Sequence, residues 1–168
     1  MKLIVYYSYT GSCNAAAEYL QEKLGGELLS LKEEKPFAKN IFGYFQALFA
    51  AFSNKSSNLA EDFSSKVASA ELIYLITPIW AGATPPAINT FLQLAELEGK
   101  KVNVLTVQGN AKLAGSEKVF YSIKERVENK GGTIDEAQSI QGGTKRKPLS
   151  AEQAADFASE VADMLKMV

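Results

Sequence analysis

The sequence predicts a doubly wound α/β domain, in which helices cover both faces of a five-stranded parallel sheet. Apolar runs rich in Val, Ile, Leu and Tyr alternate with helical patterns along the chain. The third and fourth runs are almost continuously apolar, as in central strands that are buried on both faces. This alternation favours right-handed crossovers and three αβα layers. At 168 residues the chain fits one domain, residues 1–168.

The predicted elements are separated by recognisable stop signals. Strands are predicted over residues 2–7, 28–31, 72–77, 102–107 and 136–140, and helices over residues 14–24, 86–97, 117–130 and 151–167. Glycines at 25–26, 99 and 131–132 end three of the helices, and Ser150 with Gln153 suits a capping box for the fourth. Ligands of such folds bind at the carboxyl ends of the strands, so the loops at that edge predict the functional site.

An aromatic insertion at about residues 36–59 interrupts this rhythm. Its apolar residues include Phe37, Phe42 and Tyr44, and a helical spacing puts a further set on one stripe: Ile41, Phe45, Leu48, Phe49 and Phe52. Three interpretations stay open for this stripe. It can pack against the domain, form a dimer surface, or make a wall over the functional site.

The composition excludes several classes of function. Eighteen basic and nineteen acidic residues leave a net charge of −1, which provides no global attraction to nucleic acid or an anionic membrane. The absence of His removes the usual general base and most zinc or iron sites, so no metal is expected. Neither a leader nor a spanning apolar segment is evident, and the single Cys13 suits a reducing compartment, which predicts a cytoplasmic protein. The basic residues 145–147 are interpreted as a solvated loop.

The loop after the first strand predicts a phosphate site. It leads directly into a helix, whose first backbone N–H groups and positive dipole end favour an anion. Hydroxyls and an amide can add donors, Gly11 allows close backbone approach, and the helix end would lower the pKa of Cys13. Helix capping and ordinary turn chemistry are the alternative explanation. The predicted phosphate residues are Ser8, Tyr9, Thr10, Gly11, Ser12, Cys13 and Asn14.

Two further loops at the same edge predict the rest of the ligand. The loop after the third strand holds the only Trp of the chain, and a flat indole beside a phosphate site suits a planar ring. Amides and glycines after the fourth strand can approach the edge of that ring. A loop Trp that covers the core, with ordinary turns around it, is the alternative. The candidate residues are Thr77, Pro78, Ile79, Trp80, Ala81 and Gly82, with Gln108, Gly109, Asn110 and Gly115.

These loops resemble those of the flavodoxin-like family, in the branch of small flavodoxins and quinone or FMN reductases. The family pattern [ST]-x-T-G-x-T reads here as residues 8–13, with Cys13 in place of the second Thr. Residues 77–82, followed by Thr84 and Thr90, resemble the second flavin loop. The resemblance implies strand order 2-1-3-4-5 and FMN as the cofactor. It places the phosphate in the first loop, Trp80 by the isoalloxazine, and residues 108–110 nearby.

The resemblance also implies a redox function. The third loop lacks the aromatic residue that stacks on the outer flavin face in electron-carrier flavodoxins, and the chain lacks their acidic excess. An open flavin face suits a reductase, in which NAD(P)H or a quinone stacks on the ring. The leading expectation is an FMN oxidoreductase that acts on a quinone-like or other small acceptor. A one-electron carrier and a non-catalytic module that binds FMN or another phosphorylated ligand remain the alternatives.

Overall fold

The computed structural model describes residues 1–38, 40–110, 112–143, 159 and 161. Ten elements follow in order: β1 (Lys2–Tyr6), α1 (Ser12–Leu24), β2 (Glu27–Ser30), α2 (Ile41–Phe52), α3 (Ser64–Ser69), β3 (Leu72–Pro78), α4 (Pro86–Leu94), β4 (Lys101–Gln108), α5 (Ser116–Glu128) and β5 (Thr133–Gln141). The predicted helix over residues 151–167, its cap and the basic residues 145–147 lie outside the described part. The one-domain assignment of residues 1–168 therefore stays a prediction.

The five strands form one parallel sheet in the order β2-β1-β3-β4-β5. This order confirms the predicted flavodoxin-like fold. Every neighbouring pair is parallel, so all strands end at the same edge. Between β1 and β3, Tyr6 pairs with Ile76, and between β3 and β4, Pro78 pairs with Val107. The loops that follow β1, β3 and β4 therefore leave the sheet side by side.

Burial on both faces explains why the central strands are continuously apolar. One core lies on the side of the helices that follow β2, β3 and β4, and it contains Ile73, Leu75 and Phe91. The other core lies under α1 and contains Ile4, Ile76 and Leu20. Each of these six side chains is at most 1% exposed. Alternate residues of one strand thus enter opposite cores, which sandwiches the sheet between two helical layers.

Helix α2 confirms that the aromatic insertion contains a helix. The face that packs against the domain is different from the predicted aromatic stripe. Small residues face the domain: Gly43, Ala47, Ala50 and Ala51 are buried. Four Phe side chains point outward and are between 62% and 68% exposed: Phe42, Phe45, Phe49 and Phe52. The interpretation that Phe45, Phe49 and Phe52 pack against the domain is therefore wrong. The buried face of the helix is formed by these small side chains instead.

Two helices of the structure differ from the helices that the sequence predicts. The short helix α3 was not predicted, because six residues give too little periodicity. Helix α4 ends at Leu94, three residues earlier than expected, and Lys130 Nζ donates a hydrogen bond to the carbonyl of the next residue, Ala95, at 3.0 Å. Among the residues described, no helix has both the length and the apolar character needed to span a membrane.

Candidate functional site at the carboxyl edge of the sheet

The first loop folds around the hydroxyl of Ser8. Its Oγ accepts hydrogen bonds from the backbone N–H groups of Gly11, at 3.1 Å, and Asn14, at 3.2 Å. Gly11 has a φ of 105°, which L side chains rarely adopt, and a Cβ at this position would meet no atom within 4 Å. Glycine is thus required for backbone conformation rather than for space.

Two backbone amides at the start of α1 lie outside its helical ladder. The first intrahelical bond of α1 joins the amide of Ala15 to the carbonyl of Gly11 at 3.0 Å, so the amides of Ser12 and Cys13 precede the helical ladder. Thr10 and Gly11 are exposed, and residues 8–14 include no acidic side chain. Because the positive end of the helix dipole adds to these donors, the loop fits a phosphate group.

Three side chains of the loop are used by the protein itself. Asn14 Oδ1 accepts a hydrogen bond from the Tyr6 hydroxyl at 2.9 Å, and Ser12 Oγ donates to the carbonyl of Gly143 at 3.2 Å. Cys13 is 3% exposed and packs in the core under α1, where burial raises the pKa of its thiol. The expectation of a lowered thiol pKa was therefore wrong. The side chain of Cys13 is therefore not available to a phosphate.

The second loop is a tight turn at the end of β3. Trp80 and Ala83 exchange both backbone hydrogen bonds, at 2.9 and 3.0 Å. The two residues between them, Ala81 and Gly82, have positive φ values of 50° and 75°. Positive φ at both central positions is typical of a type I′ turn, and it is uncommon for Ala. The amides of Ala81 and Gly82 lie at the tip of this turn and take no part in its ladder.

Trp80 is held edge-on by aromatic neighbours. Its ring centroid lies 5.5 Å from those of Tyr7 and Tyr9 and 6.4 Å from that of Phe37, each in a T-shaped arrangement. Only 8% of Trp80 is exposed, and Tyr9 Oη donates a hydrogen bond to the carbonyl of Ala38 at 3.1 Å. The indole thus joins the second loop to the first loop and to the segment before α2, and little of its surface is open to a ligand.

The third loop meets the second through two glycines. A Cβ on Gly115 would lie 3.7 Å from the Cα of Gly82. Gly109 and Asn110 are exposed, and Asn110 Oδ1 accepts a hydrogen bond from the backbone N–H of Lys112 at 3.0 Å. Gln108 is only 8% exposed because its Nε2 donates to Ser139 Oγ at 3.2 Å. The loop therefore presents mainly backbone to the edge of the sheet.

The predicted site residues divide into two groups. The side chains of Cys13, Thr77 and Gln108 are buried, and Pro78 and Ile79 are partly buried next to Trp80. The groups that face outward at the edge belong to residues at the loop tips: Thr10, Gly11, Ala81, Gly82, Gly109, Asn110 and Gly115. The binding role of all these residues stays a prediction.

A buried carboxyl group at this edge was missed by sequence reasoning. Glu33 follows β2 and is 7% exposed, and its Oε2 accepts a hydrogen bond from the Tyr7 hydroxyl at 3.2 Å. Burial raises the pKa of Glu33, and burial with the nearby carboxyl also raises the pKa of Tyr7. In the sequence Glu33 stands beside Glu34 and Lys35 in a charged run, so nothing distinguishes it from an exposed residue.

The comparisons with known proteins agree with this geometry. Residues 1–142 match the family model described as Flavodoxin. The chain belongs to the flavodoxin family. This membership confirms the recognition made from the three loops and assigns FMN to the chain as its cofactor. Among curated proteins, none gives a significant match.

Solved structures of flavoproteins share the fold of this flavodoxin-family protein. A putative flavoprotein from Bacteroides eggerthii superposes with a TM-score of 0.70 at 17% identity, over 96% of this chain and 97% of that one. A flavoprotein from Lactobacillus acidophilus, solved in complex with FMN, gives 0.64 at 20% identity over 82% and 91%. Oxidised flavodoxin 1 from Bacillus cereus gives 0.57 at 14% identity over 100% and 99%.

We expect Glu33 to make the stability of the protein fall as the pH rises. Its pKa is higher in the folded state than in the unfolded chain, so the folded state binds its proton more tightly and loses stability as the pH rises through that interval. Glu33→Gln keeps an acceptor for Tyr7 and removes the titration. Urea unfolding between pH 4 and 8 should show a flatter profile for this variant.

The exposed neighbour provides the control for this experiment. Glu34→Gln removes the same charge at a solvent-exposed position of the same segment. Its profile should run parallel to that of the unmodified protein. A Glu33→Gln profile with the same slope as the unmodified protein would mean that the buried carboxyl does not titrate in this range.

Proposed function

We propose that the protein is an FMN-dependent oxidoreductase that transfers electrons to a quinone-like or other small acceptor. The observation that carries this proposal is the third loop. Over residues 108–110 and 112–115 it presents Gly, Asn and other non-aromatic residues, and its tip lies against Gly82 of the second loop. Because the described residues of this loop include no aromatic side chain that could cover a bound flavin ring, the loop would leave one face of the ring open to a second planar molecule.

The first loop would hold the phosphate of FMN. Its donors are the hydroxyl of Thr10 and the backbone amides of Ser12 and Cys13, with the Ser8 proton free to point outward while its oxygen holds the loop. Since Cys13 replaces the second family Thr and is buried, side-chain hydroxyls contribute less here than in the family pattern. Backbone amides and the helix dipole therefore provide most of the affinity for the phosphate.

The second and third loops would hold the ring. FMN supplies the electron and hydride chemistry when it is bound. The amides of Ala81 and Gly82 can donate to the edge of the ring that gains electron density on reduction, and fixed donors of this kind lower the cost of that charge. Residues 77–83, 108–110 and 112–115 contain no Asp, Glu or His, so no acid or base is assigned. These amides belong to the turn between Trp80 and Ala83, and the aromatic neighbours of the Trp80 ring would hold that turn in place.

Replacement of Thr10 by Val should weaken FMN binding about 10- to 100-fold. The change keeps the shape of the side chain but removes a hydrogen bond to a charged group, which is worth roughly 1.5–3 kcal/mol. Quenching of FMN fluorescence on titration into the protein measures this loss. Thr133→Val, an exposed Thr at the start of β5, is the matched control and should bind FMN normally. Equal affinity of the two variants would remove Thr10 from the phosphate site.

Reduced nicotinamide should bleach the visible FMN spectrum directly under anaerobic conditions, and a quinone added afterwards should restore it. Stopped-flow absorbance of the FMN-loaded protein measures both half-reactions. A spectrum that ignores nicotinamide but passes through a long-lived one-electron state during chemical reduction would favour the electron carrier. FMN that binds without any redox exchange would favour the non-catalytic module.

The cytoplasmic location remains a prediction from the sequence.

The outward face of α2 supports a homodimer. Phe42, Phe49 and Phe52 are each about two-thirds exposed, and residues 41–52 contain no charged side chain. The nearby Lys55 Nζ lies 5.5 Å from the ring centroid of Phe49. Exposed Phe at this level contributes roughly 130 Å² each, so three of them provide about half of the 800 Å² that a typical interface buries on one partner. A second copy offers the same apolar stripe.

Phe49→Glu should convert the dimer to a monomer in light scattering coupled to size exclusion, because the new charge would be buried at the centre of the interface. Tyr121→Glu is the control, since Tyr121 is an exposed aromatic residue on α5, 71% accessible. That variant should keep the mass of the unmodified protein. A monomeric mass for the unmodified protein at micromolar concentration would refute the dimer.

A further inference from the structure

A cavity of about 390 Å³ lies on the outer side of α4 and α5, where the segment after α2 crosses them. This volume is in the range of small-ligand sites. The cavity is distinct from the three loops of the proposed FMN site. Its polar lining includes Asn54, Asn89, Gln93, Arg126, Asn129 and Lys130, and no acidic residue is among the lining side chains.

Arg126 is the charged side chain in this cavity whose partial burial the fold does not explain. It is half-buried, and desolvation lowers its pKa, with the field of the neighbouring Glu125 acting in the opposite direction. Its Nη1 donates a hydrogen bond to Asn89 Oδ1 at 2.7 Å. Within the described part of the chain it forms no ion pair with a carboxylate. A partly buried cation without a directly paired carboxylate is costly, and among the described residues the guanidinium donates one hydrogen bond, from Nη1.

A second cation extends the positive charge of the cavity. Lys130 Nζ donates to the carbonyl of Ala95 at 3.0 Å, which fixes its side chain at the end of α4. Together Arg126 and Lys130 place two positive charges among amide side chains, and amides can donate to an anion without adding charge. A planar guanidinium matches the two oxygens of a carboxylate or phosphate in a bidentate pair.

We propose that this cavity binds a small anion through a carboxylate or phosphate group, with Arg126 as its main ligand and Lys130 as the second. Binding would pair Arg126 directly with a negative group, which no carboxylate among the described residues does. The site is coupled to the second loop, because Asn89 Oδ1 also accepts a hydrogen bond from the Thr84 hydroxyl at 2.6 Å. An anion that competes with Asn89 for the guanidinium therefore changes the surroundings of Thr84, directly after the turn of Trp80.

Backbone amide NMR of the full chain tests the proposal. The protein is titrated separately with sodium phosphate, sodium succinate and sodium chloride at equal ionic strength. We expect saturable shifts of the amides of residues 89–93, 126–130 and Thr84 with phosphate or succinate, and no saturation with chloride. Whichever of the two anions saturates identifies the binding group. Shifts of residues 10–13 report the predicted phosphate loop separately, so the two sites are distinguished.

Three variants assign the binding to its residues. Arg126→Gln should weaken the saturable binding at least 10-fold, and Lys130→Gln about 3-fold. Lys118→Gln removes an exposed charge of the same helix and should leave the affinity unchanged. Should Arg126→Gln not fold, the unmodified protein and Lys130→Gln decide. Absence of saturation with both anions, or an unchanged affinity in the variants of the cavity, would overturn the proposal.

Discussion

The parallel register of β1, β3 and β4 is the constraint on which the rest of the structure depends. These strands are buried on both faces, so a shift by one residue would exchange the side chains of the two cores. The register therefore fixes where each strand stops. Because Tyr6, Pro78 and Gln108 end neighbouring strands, the three following loops emerge together and form one edge. The proposed cofactor site uses all three of these loops.

The side chains of these loops mainly shape the protein, and in the proposed site the backbone meets the ligand. Ser8 holds the first loop, Trp80 is fixed by three aromatic rings, and Gln108 is tied to β5. Positive φ values at Gly11, Ala81 and Gly82 set the backbone path of the first two loops. This division suits a flavin, since its phosphate and ring edge need directed donors that are already in place before binding.

Two other parts of the surface, away from this edge, carry groups that are unfavourable in the isolated chain: exposed aromatic side chains and a partly buried charge. Helix α2 buries a face of small residues, which leaves its Phe side chains outward. On the same side of the sheet, Arg126 lies half-buried in a cavity without a carboxylate partner among the described residues. Exposed aromatic area and partly buried charge both have a free-energy cost in the isolated chain. A second copy of the chain and a small anion, respectively, would relieve these costs.

The sequence by itself determined the fold class, four of the strands closely, and the loops that meet at the functional edge. It could do so because continuous apolar runs and glycine stops are local signals, and because the [ST]-x-T-G pattern is short and contiguous. Only the tertiary structure decided which way the side chains of Cys13, Trp80, Glu33 and Phe49 point. Burial and hydrogen bonding depend on contacts between distant segments, such as Tyr7 with Glu33 or Asn89 with Arg126, and a local pattern of residues carries no information about those contacts.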